Sequence, residues 1–142
     1  MKNDRRLIVV LVLTVAMLLI GGSSADAQTT RRLSATPKAF QTFYAKFKSA
    51  VLRGDKRAVA SMTRFPFSYG WDAGDEGTYT RSQFLRKYND ILGGTRRLFG
   101  QSNPKFYNDE NSLSLADTSD ASHYGFNKKG GKYYFTSIMV EP

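Results

Sequence analysis

Apolar residues are arranged in three ways along the chain: a continuous run near its start, stripes at three- and four-residue steps in the middle, and alternation towards the end. Residues 7–20 are apolar without interruption except for Thr14, and basic Lys2, Arg5 and Arg6 precede them. Helical periodicity begins at residue 36. Thr36 followed by Pro37 is a start signal, because threonine can cap free amides and proline is tolerated at the first helical position. Phe40, Phe43, Tyr44, Phe47, Ala50 and Val51 then share one face, with Lys46, Lys48 and Arg53 elsewhere. Gly54 supplies the left-handed stop, and Asp55 caps a second short helix that buries Ala58, Val59 and Met62.

The pattern changes at FPFSY (65–69), which is aromatic and alternating. Pro66 removes a backbone donor, so the segment is predicted as an edge strand or the start of a strand. A loop rich in glycine and acid, residues 70–77, leads to a short Thr78, Tyr79 stretch. Thr80 and Gln83 make a T-x-x-Q capping box for a third helix with Phe84, Leu85, Tyr88, Ile91 and Leu92 inside, ended by Gly93 and Gly94. Residues 95–107 fit either a strand or a loop. SLSLA (112–116) alternates as a half-buried strand, and residues 122–127 and 132–140 predict a hairpin across KKGG (128–131). Helices first and strands later, without the alternation that builds parallel sheets, predict an α+β domain with helices on one face of a curved antiparallel sheet.

The apolar run at 7–20, its basic flank and the A-x-A site at Ala25 and Ala27 have the anatomy of a cleavable secretory signal. At about 14 residues the run is shorter than the roughly 20 needed to span a bilayer. The expected organisation is a signal peptide at 1–27, a polar leader with little structure at 28–35, and one α+β domain at 36–142. Localisation is then periplasmic or secreted, with no membrane span after cleavage. Cysteine is absent, which excludes disulfides and thiolate metal sites, so packing alone must stabilise the domain. The net charge is +9, and loss of three basic and two acidic residues with the signal leaves +8. Such a balance favours anionic partners, although the Lys and Arg residues are scattered and form no dense run.

The order FxxFxxAVxxGDKxxVAxM, an FP pair, a TRSQFLRKYNDIL helix and a closing GGKYYFTSIMVEP strand resembles small secreted bacterial proteins of the nuclear transport factor 2-like (cystatin-like) superfamily. In this chain those residues are Phe43, Phe47, Ala50, Val51, Gly54, Asp55, Lys56, Val59, Ala60, Met62, Phe65 and Pro66, then Phe84, Leu85, Tyr88 and Ile91, then Gly131, Lys132 and Ile138. The resemblance implies a helix-lined cone around a bent antiparallel sheet, and it admits a homodimer. Members include isomerases, dehydratases and binding modules, so the resemblance assigns no activity and transfers no catalytic residue.

Candidate ligand-binding residues are Trp71, Asp72, Asp75, His123 and Tyr124. Trp71 stands beside Asp72, Asp75 and Glu76 in GWDAGDEG, and an aromatic next to charge can stack a ring or a sugar, or else close the open end of the core. The acids lack the D-x-D-x-D-G spacing of a calcium loop. His123 is the sole histidine and could act as a general base, but without cysteine or a second histidine it makes a poor metal site. Tyr124, Tyr133 and Tyr134 near Lys128, Lys129 and Lys132 place aromatics and cations on one hairpin, divided between its faces by alternation. No G-x-S-x-G elbow or phosphate-cradling loop occurs, and no cofactor is implied. The expectation is an exported, non-enzymatic domain that binds a small molecule, a protein or an anionic envelope polymer, and no specific nucleic acid, with a pocket between the first helix and the sheet. The alternatives are an isomerase- or hydrolase-type enzyme using Asp72, Asp75 or His123 in the cone mouth, and a basic surface module.

Overall fold

A computed structural model describes residues 29–109 and 111–141; the signal-like segment 1–27 lies outside them. In chain order the elements are β1 (Thr29–Arg32), α1 (Lys38–Leu52), α2 (Lys56–Ser61), β2 (Thr63–Trp71), β3 (Asp75–Tyr79), α3 (Arg81–Arg86), α4 (Tyr88–Leu92), α5 (Arg96–Gly100), β4 (Lys105–Asp109), β5 (Ser112–Asp117), β6 (Ser122–Lys129) and β7 (Lys132–Val140). The strands form one sheet in the order β1-β4-β5-β6-β7-β2-β3. All neighbours are antiparallel except β2 and β7, which run parallel. The result is the α+β arrangement expected: helices cover one face of the sheet.

The helix signals act where the sequence places them, with one correction. Gly54 adopts φ +67° and Asp55 accepts a hydrogen bond from the Ala58 amide, so one helix stops and the next starts within two residues. Thr80 and Gln83 make both bonds of the capping box. Thr36, by contrast, does not cap α1. Its hydroxyl donates to the Leu33 carbonyl at 2.6 Å and closes a 3-10 turn at Leu33–Ala35, and Pro37 takes the cap position.

Three further expectations are corrected. Residues 29–35, expected to carry little structure, supply edge strand β1, which pairs with β4, and that 3-10 turn. Backbone pairing outweighs the lack of apolar residues there. Strand β2 is interior, between β7 and β3, yet Pro66 costs no ladder bond, because the β2–β7 register is interrupted between Thr63 and Ser68. The acidic loop is shorter than 70–77: only Asp72–Gly74 turn, and Asp75 and Glu76 belong to β3. The ambiguous stretch 95–107 resolves into α5 and the start of β4.

Side chains from the helices and the inner sheet face fill the space between them. Phe40, Tyr44 and Phe47 of α1 meet Phe106, Phe126 and Phe135, all fully buried, with ring centroids 5.0 Å apart for Phe40–Phe106, Tyr44–Phe106 and Phe47–Phe135. Phe67 continues the layer, 4.8 Å from Phe135 and 5.0 Å from Phe84. The deep space between α1 and the sheet is therefore filled by the protein's own rings, and what remains of the expected pocket is an open cleft of about 290 Å³ between Phe43 and Lys46 of α1 and Lys132 and Tyr133 of β7.

Candidate functional site

The β2–β3 hairpin positions the first group of candidate residues. Register pairs Trp71 with Asp75 and Tyr69 with Gly77. Trp71 is half-buried, and its indole N–H donates to the Tyr79 hydroxyl at 3.2 Å. Tyr69 stacks on Tyr79 at 4.1 Å and lies 6.2 Å from Trp71. The three rings close the end of the core layer, with Trp71 packed against it. Desolvation and then the charge of Asp75 push the Tyr69 phenol above its ordinary range. Asp72 and Asp75 are both exposed, on the turn and on the strand after it.

Strand β6 separates the other two candidates, because neighbouring residues of a strand face opposite ways. Tyr124 is buried 5.6 Å from Phe99, and burial, assisted by Asp120, pushes its phenol up to about 12. It is a core residue. His123 points to the uncovered outer face. Its Nε2 lies 3.3 Å from Glu141 Oε1, its Nδ1 lies 3.5 Å from Ser114 Oγ, and Tyr107 flanks the ring at 6.1 Å. Together with Asp109 and Ser112 these residues line an open cleft of about 160 Å³.

A hydroxyl, an imidazole and a carboxylate in line suggest nucleophilic chemistry, but two features of the geometry oppose it. Ser114 sits on β5, which is paired on both sides with β4 and β6, so the local amides face strand partners rather than a developing oxyanion. The Ser114–His123 contact is at the outer limit of hydrogen-bond distance. The cluster fits a polar tie between Glu141, just after β7, and the sheet, reinforced by the Glu141 amide donating to the Ala121 carbonyl at 3.0 Å.

The candidate residues do not converge. Register aligns His123 with Met139, Gly70 and Glu76 on the outer face, so three strand spacings, roughly 14 Å, separate His123 from β3. Trp71 and Asp75 belong to the opposite face. Among the described residues, no group of three or more His, Asp or Glu side chains is placed to hold a metal, and no helix is long and apolar enough to cross a membrane.

The feature that brings many residues together is charge. The helical segments at 38–61 and 80–100 carry Lys38, Lys46, Lys48, Arg53, Lys56, Arg57, Arg81, Arg86, Lys87, Arg96 and Arg97, against only Asp55 and Asp90. All of these cations are exposed except Lys48, which is half-buried. Over the rest of the described chain, seven basic residues face seven acidic ones. Nearly all of the excess positive charge thus lies on the helical layer. The scattered cations of the sequence look unremarkable until each is assigned to its element, and the predicted helices already contained the signal.

No protein-family model matches the chain, and no curated protein does. The chain is similar to several solved structures. These include an NTF-2 like protein of unknown function from Silicibacter pomeroyi, with 15% identity over 72% of this chain and 92% of that one and a TM-score of 0.43. A protein of unknown function with a cystatin-like fold from Nostoc punctiforme shares 14% identity over 73% and 90%, with a TM-score of 0.42. An NTF2-like protein of unknown function from Cytophaga hutchinsonii shares 11% over 75% and 92%, with a TM-score of 0.44.

Proposed function

We propose that the protein is an exported, non-catalytic binding domain, periplasmic or secreted, that holds an anionic envelope polymer against its helical layer. The observation that carries this reading is the segregation of charge: eleven cations on the helical segments against two acids, beside a balanced remainder. Ion pairing within that layer, among the described residues, is limited to Arg53–Asp55 at 3.9 Å and Lys87–Asp90 at 3.1 Å, and Lys48, Arg81 and Arg96 donate only to backbone carbonyls, so the positive charge of the layer is largely uncompensated. A field of one sign over one layer attracts polyanions and orients their approach. The filled interior supports surface binding over an enclosed ligand, and the separation of His123 from Asp72 and Asp75 supports binding over catalysis. Export rests on the signal anatomy of residues 1–27.

Binding of fluorescent dextran sulfate, followed by anisotropy at rising ionic strength, tests the proposal. Affinity should fall steeply between about 50 and 300 mM salt, as screening shortens the reach of surface charge to within about 10 Å. Affinity independent of salt would contradict it.

A further inference from the structure

One helix of the cationic layer carries a second feature that polymer binding does not use. Two neighbouring rows of α1, Tyr44, Lys48 and Leu52 on one and Ala45, Ser49 and Arg53 on the other, form the wall of an open cleft of about 450 Å³, with Leu33 and Ser102 opposite. Each row steps by four residues, so its side chains stand one above another along the helix. Leu33 and Leu52 are partly buried against the core, which makes much of the lining apolar. Lys48 reaches the end of α5 and donates to the Gln101 carbonyl at 2.6 Å.

Among the described residues two tyrosines, Tyr44 and Tyr88, bury a hydroxyl without a partner, and of the two it is Tyr44 that lines this cleft. It is fully buried among Phe40, Phe99, Phe106 and Phe126, and its hydroxyl is buried without a hydrogen-bond partner. A phenylalanine would satisfy the packing and avoid the cost of desolvating an unpaired hydroxyl. Burial holds the phenol well above its ordinary range, so it stays protonated and remains a donor. An unused donor, an ammonium one helical turn away and an apolar lining together define a ligand with an anionic acceptor at one end and an alkyl chain at the other.

We propose that this cleft binds a single-chain amphiphile with a carboxylate head. The head takes Lys48 over from the Gln101 carbonyl and accepts from the Tyr44 hydroxyl, while the chain lies along Ala45, Leu33 and Leu52. Arg53 adds positive potential at the end of the cleft. The size is within the range of small-ligand sites, roughly 300–1,000 Å³. The site shares Lys48 and Arg53 with the cationic layer, but its apolar lining and the Tyr44 hydroxyl play no part in polymer binding, so it stands or falls without that reading.

Isothermal titration of the protein with dodecanoate below its micelle concentration tests the site, with dodecyltrimethylammonium as the charge-reversed control. Dodecanoate should bind saturably with one molecule per chain, and dodecyltrimethylammonium should not. Ala45→Trp, at an exposed helix position, should fill the cleft and abolish dodecanoate binding while leaving dextran sulfate affinity unchanged. Tyr44→Phe should weaken dodecanoate by about tenfold, the loss of one hydrogen bond to a charged acceptor, while raising the melting temperature of the free protein. Equal binding of both amphiphiles, or dodecanoate binding unchanged by Ala45→Trp or Tyr44→Phe, would overturn the proposal. So would binding to phosphatidylglycerol vesicles with no response to monomeric dodecanoate, which would assign the same charges to a lipid surface.

Discussion

The ring of Tyr69 lies on that of Tyr79 with centroids 4.1 Å apart and planes 16° from parallel. The stack exists because Gly77, directly opposite Tyr69, leaves room: a Cβ there would stand 2.8 Å from the Tyr69 hydroxyl oxygen. Gly77→Ala should therefore displace Tyr69, disturb the Tyr79 acceptor of the Trp71 indole, and destabilise the protein by about 1–3 kcal/mol, the usual cost of overpacking. Urea unfolding followed by the fluorescence of Trp71, the one tryptophan in the chain, measures this directly. An unchanged midpoint and emission maximum would show that the stack is not a constraint.

The junction between α1 and α2 rests on two adjacent residues with different tasks. Gly54 supplies the positive φ, and Asp55 satisfies the Ala58 amide at 3.0 Å. Asp55→Ala should cost about 1 kcal/mol, as expected for the loss of a helix cap, whereas Asp55→Asn should retain most of the stability. Gly54→Ala should also cost about 1 kcal/mol, through strain at φ +67° rather than through a clash, since nothing lies within 4 Å of the added methyl. Thermal unfolding of the three variants separates the two causes. Equal losses for Asp55→Ala and Asp55→Asn would rule out the cap.

Alkaline pH should unfold the protein through its buried phenols. Tyr124 is pushed up to about 12 by burial and Tyr44 further in the same direction. The neutral form is favoured in the folded state, so the associated stability is complete below the unfolded phenol value of about 10 and is lost as pH rises through and beyond it. Stability should stay level up to about pH 9.5 and fall steeply towards pH 12. Tyrosinate absorbance at 295 nm should then show a delayed, cooperative step coincident with loss of structure. A smooth titration of all tyrosines near pH 10 would contradict the burial of these two.

Much of the fold was legible because local signals and burial pattern agree. The aromatic stripe of α1, the Gly54–Asp55 junction, the capping box at Thr80 and the hairpin through Gly130 and Gly131, both with positive φ, all follow from short-range chemistry. What was missed depends on partners distant in sequence. Strand β1 has no apolar pattern and exists by pairing with residues more than seventy positions away. The place of β2 inside the sheet is fixed by the parallel contact with β7, which Pro66 alone argued against. For the candidate site, His123 and Tyr124 were read together as ligand-binding residues, whereas alternation along β6 sets them on opposite faces, and Ser114 and Glu141 reach His123 through strand pairing and a backbone bond that spacing does not reveal.

The segregation of charge is most directly tested by comparing two sets of charge reversals in the dextran sulfate assay. One carries Lys46→Glu, Lys56→Glu, Arg57→Glu and Arg86→Glu on the helical layer; the other carries Arg64→Glu, Lys105→Glu, Lys129→Glu and Lys132→Glu on the strands, all at exposed positions. Both sets change the net charge equally, so a response to total charge alone cannot distinguish them. Reversal on the helical layer should abolish binding at physiological ionic strength, while reversal on the strands should leave most of it. Equal losses from the two sets would contradict a binding surface on the helices.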